Sequence, residues 1–376
     1  MEARMPENTI TQYFTEMEDP RRSNRRHYLL DMIVVAICAV ICGADGWSDI
    51  ELFGNSKYEW FKGFLRLPHG IPSHDTFGRV FAVLDGEQFQ RCFMRWIQGV
   101  YEITEGQIVP LDGKRLRRSY DKRLGKDAIH MLSAWASENR MVLGQLKVDS
   151  KSNEIPAVMA LLDLLDIRGC IVTTDAMHCQ KKTAQKVIDK DADYVLRVKD
   201  NQSGIRDAMQ NLFEFAEEED FGDCDYHQSI DKGHGRIEIR ECWATSAADY
   251  LWFLPNVDKW AGLQSIVMIR SVRQSEKETE VESRYYLSSL ASDAEQILGA
   301  IRTHWEIENK VHWVLDVVFD EDGSRIRQGN AAQNLAVLRH IALNLLRQET
   351  TLKRGIKAKR LKAGWDQAHL LKILAG

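Results

Sequence analysis

Two aspartates of the sequence stand where an acidic side chain can do chemistry. Asp112 directly follows the apolar segment 108–111, and Asp175 directly follows the apolar segment 171–174. Each segment has the pattern of a buried strand. Because side chains leave the core at strand ends in sheets flanked by helices, the two carboxylates can converge on one metal ion. Taken singly, each aspartate is better explained as a turn or helix-capping residue, and it is the recurrence of the pattern after two strands that favours a site.

The segments around these aspartates predict a mixed sheet with helices on its faces. Strand-like and helix-like patterns follow one another in the order strand, strand, strand, helix, strand, helix, strand. The predicted segments are 108–111, 128–136, 141–148, 154–166, 170–174, 178–190 and 194–198. This is the order of elements in an RNase H-like core, so the predicted fold class is α/β.

Three further regions flank or interrupt the predicted core. Residues 1–100 predict an all-helical N-terminal domain, with helices at 28–44, 49–65 and 75–98 and Ser73 as the N-cap of the third. A helix-turn-helix DNA reader and a plain helical bundle both fit this pattern. The catalytic domain is predicted at 101–350, with a β-rich insertion at 200–290 and helices at 293–317 and 330–347. Residues 351–376 are predicted to be a basic C-terminal tail.

Charge and composition restrict the kind of partner. Fifty Lys and Arg residues against fifty-five Asp and Glu residues give a formal net charge of −5, which argues against general attraction to nucleic acid. DNA binding would require local basic patches, such as Arg25 with Arg26 and the segment 353–362, although solvated surface charge explains these equally well. The longest uncharged run, 32–44, is too short to span a bilayer of about 30 Å. The seven cysteines are widely spaced and suggest neither a disulfide framework nor a zinc site, so we expect a cytoplasmic protein without membrane contact.

A third carboxylate lies in the segment 301–313, IRTHWEIENKVHW, which contains Glu308. This segment and several others closely resemble the DDE transposases of insertion sequences, specifically the H-repeat-associated group. The matching stretches are 111–114, 150–155, 174–180, 193–202, 234–238, 285–290 and 304–322. Together they are far more specific than any single aspartate.

The resemblance implies that Asp112, Asp175 and Glu308 form a catalytic triad that binds two Mg²⁺ ions, with Mn²⁺ as a substitute. It implies cleavage and strand transfer of DNA without a covalent protein intermediate. The partners would be the terminal inverted repeats of the element and target DNA, bound by a homodimer associated with the nucleoid. In the wider family the glutamate belongs to a pattern of Tyr, Arg, Glu and Lys. The corresponding positions 301, 304, 308 and 315 hold Ile, His, Glu and Leu in this sequence, so only the glutamate is kept.

Other residues are predicted to support this site. Basic side chains that follow the two aspartates are expected to contact phosphates, unless they are ordinary surface charge; they are Lys114, Arg115, Arg117, Arg118, Lys181 and Lys182. His304, His312 and Asp316 are candidates for orienting the carboxylates, and Asp316 could instead pair with Arg325 or Arg327. Trp305 and Trp313 are predicted to be core residues.

The helix around Glu308 carries a second candidate, Glu306, but the two residues point to opposite sides because they are about 200° apart. Glu308 shares its side with a mixed stripe of apolar residues and histidines and is predicted to face the aspartates, whereas Glu306 is predicted to face solvent. Two other functions remain open for the whole chain. One is a catalytically silent or domesticated DNA-binding protein of transposase descent, and the other is an RNase H-like nuclease without strand transfer.

Overall fold

The computed structural model describes residues 10–21, 25–101, 104–120, 127–148, 154–233, 235–250, 253–275 and 278–375. Residues 150–153 and His234 of the matching stretches lie outside these ranges. The N-terminal region is helical, as predicted, with α1 (Leu29–Ile41), α2 (Trp47–Ser56), α3 (Tyr58–Phe61), α4 (His74–Val83) and α5 (Gly86–Val100). Ser73 caps α4 by accepting a hydrogen bond from the backbone N–H of Thr76.

Two predicted N-terminal helices are each divided in two, because 49–65 corresponds to α2 and α3 and 75–98 corresponds to α4 and α5. The helix α4 ends at Val83, and Asp85 caps α5 by accepting hydrogen bonds from the backbone N–H groups of Glu87 and Gln88. An aspartate preceding a new apolar stripe is a strong N-terminal signal, which the uninterrupted periodicity of the sequence concealed.

The centre of the molecule is a nine-stranded sheet in the order β3-β2-β1-β4-β5-β9-β8-β7-β6. Its strands are β1 (Ile108–Arg115), β2 (His130–Ala136), β3 (Met141–Val148), β4 (Ile171–Thr174), β5 (Asp193–Val198), β6 (Asp225–Gly233), β7 (Arg236–Ser246), β8 (Ser265–Ser275) and β9 (Thr279–Ser288). Strands β1, β4 and β5 are parallel, and β2 and β3 continue the sheet in antiparallel fashion. With α6 (Ile155–Leu164) and α7 (Lys181–Ile188) between strands, this confirms the predicted RNase H-like core.

The predicted β-rich insertion contains a helix as well as strands. After β5 comes α8 (Ser203–Glu218), whose buried stripe of Ile205, Met209, Leu212 and Phe213 was hidden by the acidic composition of its exposed face. The four strands that follow do not form a separate sheet. They extend the core sheet, because β9 pairs antiparallel with β5.

Helices cover both faces of the sheet. On one face lies α9 (Ala294–His304), where Ile297, Leu298 and Ile301 belong to the same apolar cluster as Val195 and Ile269 of the sheet. The remaining helices are α10 (Trp313–Phe319), α11 (Ala331–Gln348), α12 (Ile356–Trp365) and α13 (Gln367–Ala375). No helix within the described ranges is long and apolar enough to cross a membrane.

The long helix α11 joins the N-terminal helices and the core in one apolar cluster, since nearly every residue of α11 is buried. Within the segment 351–376, predicted as a basic tail, residues 356–365 and 367–375 form the helices α12 and α13. Two of their basic residues are buried: the Lys359 ammonium donates to the Leu346 carbonyl at 2.9 Å, and the Arg360 guanidinium donates to the Val40 carbonyl at 3.0 Å. These cations stabilise the packing and are therefore not available to DNA.

Candidate active site

The register of the two central parallel strands places Asp112 beside Asp175. Leu111 of β1 pairs with Thr174 of β4, so the two aspartates occupy the next position on neighbouring strands. Adjacent strands lie about 4.8 Å apart and paired residues point to the same face. Asp112 was predicted to follow the end of its strand. It lies within the strand instead, because β1 continues along β2 to Arg115. β4 ends at Thr174, and Asp175 begins a short 3-10 turn.

Glu308 lies on a feature that the sequence did not predict. The predicted continuous helix 293–317 is interrupted after α9 by a π-helical turn, Glu308–His312, before α10 begins. Such turns are rare and occur often at functional sites. The widened turn leaves the Lys310 carbonyl to accept a hydrogen bond from the Arg347 guanidinium of α11.

The electrostatics of Asp112 indicate that the three predicted carboxylates are close together. Burial raises the pKa of Asp112 to about 7, with the neighbouring Asp175 carboxylate as the second cause and those of Glu308 and Glu154 adding to it. The backbone N–H of Gly113 donates to the Asp112 carboxylate at 2.9 Å and opposes this shift. Negative charge is therefore concentrated around Asp112 at the edge where β1 and β4 meet.

The two predicted supporting histidines flank the aspartates as neutral groups. Nδ1 of His304 lies 2.9 Å from the Thr173 hydroxyl, and Nδ1 of His312 lies 3.3 Å from Oδ2 of Asp112. Burial lowers the pKa of His304 to about 4 and that of His312 to about 3. The contact between His312 and Asp112 is consequently one of a neutral imidazole with a carboxyl group, not an ion pair.

Lys114 was expected to contact phosphate but is directed into the protein. Its ammonium group donates to Asp316 and, at 2.7 Å, to the buried Glu321, whose other oxygen lies 4.0 Å from Arg339. Position 114 lies on the same face of β1 as Asp112, and α10 covers it. The partner of Asp316 is therefore Lys114, not Arg325 or Arg327.

Replacing Lys114 with Met should destabilise the fold by about 3–5 kcal/mol, because it leaves the buried Glu321 carboxylate without its closest cation. Burial alone would raise the pKa of Glu321, but Lys114 and Arg339 lower it. The stabilisation is thus present above the pKa of an unfolded glutamate and is lost as the pH falls through the folded value. Denaturant unfolding should show a large difference from wild type at pH 7 that shrinks in acid; a pH-independent difference would contradict this ion pair.

The other basic residues predicted to contact DNA lie at the surface. Arg115, Arg118, Lys182, Arg25 and Arg26 are exposed. Arg117 is also exposed, with Nε 3.2 Å from Asp322, and Lys181 is half-buried at the start of α7. Their contact with phosphate stays a prediction.

Sequence reasoning missed a buried group beside the aspartates. The Glu154 carboxylate accepts hydrogen bonds from Nδ1 of His130 and Nε2 of His178, each at 2.9 Å. Arg197 was also missed; its guanidinium lies 4.0 Å from Asp175. Glu154 and His178 fall within the matching stretches 150–155 and 174–180, which was the available signal.

The surroundings of Glu308 correct two predictions. Trp305 and Trp313, expected in the core, are 38% and 56% exposed. Glu306 was expected in solvent but is half-buried, and it borders a groove with Arg240, Arg284 and Arg302, among other residues.

The donor chemistry of this edge fits a hard divalent cation, since the three carboxylates offer only oxygen ligands. Within the described ranges, no set of three or more His, Cys, Asp or Glu side chains is arranged to hold a metal ion. Asp175 is 54% exposed and Glu308 is also exposed, so a cation from solvent can reach both carboxylates.

Comparison with known proteins identifies the family. The Transposase DDE domain matches residues 86–345, and the DDE_Tnp_1-associated region matches residues 11–97. YncI from Escherichia coli O157:H7, assigned as a transposase, is 41% identical over 98% of this chain and 94% of its own length. YhhI from E. coli strain K12, an H repeat-associated protein assigned as a transposase, is 40% identical over 93% of each chain.

Among solved structures, the piggyBac transposase in a synaptic complex with hairpin DNA is similar over 97% of this chain and 77% of that chain. Its TM-score is 0.43 and its sequence identity is 12%. The family match covers most of the chain and includes all three carboxylates. With relatives about 40% identical along nearly their whole length, this chain belongs to the DDE transposase family.

Proposed function

We propose that this chain is an active insertion-sequence transposase that cleaves DNA at the element ends and joins those ends to target DNA, using Asp112, Asp175 and Glu308 with Mg²⁺. The observation that carries this proposal is the register of β1 and β4, which places Asp112 beside Asp175 on neighbouring strands. Burial is the main cause that raises the pKa of Asp112, and the charges of Asp175 and Glu308 add to it. A divalent cation bound there would neutralise the mutual repulsion of these carboxylates.

Each carboxylate is held by a different part of the fold. Asp112 is fixed within β1 and accepts from the Gly113 N–H, and Asp175 follows the end of β4. Glu308 approaches from the π-helical turn. When bound, Mg²⁺ supplies Lewis acidity that activates a water or a 3′-hydroxyl and stabilises the leaving 3′-oxygen. No Ser, Tyr or Cys nucleophile is needed for this chemistry.

DNA would approach the basic residues near the aspartates that lie at or near the surface. Arg115, Arg117 and Arg118 follow Asp112 at the end of β1, and Lys181 and Lys182 begin α7 after Asp175. Phosphates bound there would position the scissile bond between the carboxylates. Pairing of two element ends further suggests a homodimer.

A strand-transfer assay separates this proposal from the alternatives. The full chain is incubated with Mg²⁺ and labelled fragments that carry the DNA flanking its own reading frame, together with an unlabelled target plasmid. An active transposase gives cleaved ends and labelled plasmid. A silent descendant gives binding without cleavage, and an RNase H-like nuclease gives hydrolysis without joining or preference for ends; either result would overturn the proposal.

Arg347 provides a test of the π-helical turn. Its guanidinium donates to the carbonyls of Lys310 and, at 2.9 Å, Arg140, and it lies 4.4 Å from the centre of the Trp135 ring. Burial lowers the pKa of Arg347 to about 9, which means that burying its positive charge costs free energy. Met in its place should leave stability little changed, because burying a charge offsets much of what it contributes.

Cleavage by Arg347→Met, however, should fall by about a hundredfold, since the Lys310 carbonyl loses its partner and Glu308 shifts by the order of 1 Å. The measurement is single-turnover cleavage together with thermal unfolding, with the exposed Arg168→Met as the control. Wild-type cleavage by the folded Arg347→Met variant would show that this contact does not position Glu308.

A further inference from the structure

A buried carboxylate connects the two strand ends that carry the aspartates. Glu154 immediately precedes α6 and is 8% exposed, and His178, one of its two partners, is 2% exposed. Burial would raise the pKa of Glu154, but the hydrogen bonds and charges of His130 and His178 bring it to about 2. An ionised carboxylate between two imidazoles is therefore a stable part of the fold at neutral pH.

One partner of Glu154 is attached to the strand of Asp112. His130 lies on β2 opposite Arg115, and its ring reaches back to the backbone of Gly113. A Cβ at position 113 would lie 2.6 Å from Nε2 of His130 and 3.0 Å from Oε2 of Glu154. The missing side chain of Gly113 thus allows the imidazole and the carboxylate to pack against the peptide that follows Asp112.

The other partner is attached to the turn of Asp175. His178 ends the 3-10 turn Ala176–His178, and its backbone N–H donates to the Asp175 carbonyl at 3.0 Å. The imidazole of the same residue contacts Oε2 of Glu154 at 2.9 Å. A movement of Asp175 relative to Asp112 would have to break one of the two contacts of Glu154.

We propose that Glu154 is a positioning residue that, through His130 and His178, fixes the separation of Asp112 and Asp175 for cation binding. The inference rests on the proposed function, because it assumes that the two aspartates share metal ions. Groups behind metal ligands commonly change metal affinity or activity by about 10–100-fold. Glu154 itself would not touch the metal or the DNA.

The test is direct Mn²⁺ binding to the full chain, measured by electron paramagnetic resonance of the free ion, alongside cleavage and metal-free thermal unfolding. Glu154→Gln keeps the volume but loses one acceptor and the charge, and we expect it to bind Mn²⁺ about 10–100-fold more weakly. Excess Mn²⁺ should partly restore its cleavage. The control is Glu138→Gln, an exposed glutamate on the β2–β3 turn, which should match wild type.

A purely structural role would lower the unfolding temperature of Glu154→Gln but leave Mn²⁺ affinity and cleavage at wild-type levels where the variant is folded; that result overturns the proposal. If Glu154→Gln does not fold, His178→Leu is compared with His178→Gln, which keeps a donor near the position of Nε2. We expect the Leu variant to bind Mn²⁺ at least about tenfold more weakly, and equal affinities would overturn the proposal. If wild type and Asp112→Asn bind Mn²⁺ equally and wild type does not cleave DNA, the proposed function has failed as well.

Discussion

Asp112→Asn and Asp175→Asn should each lose DNA cleavage by at least about a thousandfold. Each substitution removes a metal ligand, and metal assistance contributes several kcal/mol at about 1.4 kcal/mol per tenfold in rate. DNA binding should persist, because the exposed arginines near the site are unchanged. Single-turnover cleavage and a binding assay on the same labelled ends measure the two effects separately.

The stability of Asp112→Asn provides an internal control. The folded-state pKa of Asp112 is about 7, above the ordinary aspartate value of 3.8, so between these pH values the folded protein holds more protons than the unfolded chain. Wild-type stability without metal therefore falls as the pH rises through this window, and the Asn variant should escape that fall. Thermal unfolding should show the variant to be the more stable protein at pH 8, with no such advantage below pH 4.

Adding Mg²⁺ at pH 8 should make wild type the more stable of the two proteins, because the ion stabilises only the folded protein that binds it. An Asp112→Asn variant that cleaves DNA at the wild-type rate would remove Asp112 from the site. A variant that is inactive because it is unfolded would appear at once as a loss of the thermal transition.

Glu308→Gln should also reduce cleavage by at least about a thousandfold, whereas Glu306→Gln should change it little. Glu308 contributes to the field that raises the pKa of Asp112. Glu306 instead borders the groove that contains Arg240 and Arg302. Because the two substitutions are chemically identical and two residues apart, each is the matched control of the other.

Cleavage rates of the two variants, measured at saturating Mg²⁺, decide between the glutamates. An inactive Glu306→Gln beside an active Glu308→Gln would contradict the orientation of the π-helical turn and the identity of the third carboxylate. Equal loss in both would mean that Glu306 also acts, through the groove that it borders.

Local patterns were sufficient for the core of this fold. The strands that carry Asp112 and Asp175 are short apolar runs, and the helices between them have clear amphipathic periodicity. The parallel register that brings the two aspartates together follows from their common position after these runs. The sequence did not predict that the strands of the insertion extend the core sheet, because the pairing of β9 with β5 joins residues about ninety positions apart.

The wrong predictions about the site arise from contacts between residues that are far apart in the sequence. Lys114 resembled a phosphate contact because it follows Asp112, yet Glu321, which lies far along the chain, determines where its ammonium points. The π-helical turn has ordinary helical periodicity, and the Arg347 side chain that contacts it comes from α11. Glu154 had the sequence signature of a residue at the start of a helix, so its bridging role required the positions of both histidines.

Anomalous diffraction from crystals of the full chain soaked in Mn²⁺ tests the central claim most directly. The proposed site predicts anomalous density bounded by the carboxylates of Asp112, Asp175 and Glu308, with Glu306 remote from it, and loss of that density in Asp112→Asn crystals. Density elsewhere on the molecule, or density at this edge that persists in Asp112→Asn, would contradict the assignment of these three residues as the metal-binding triad.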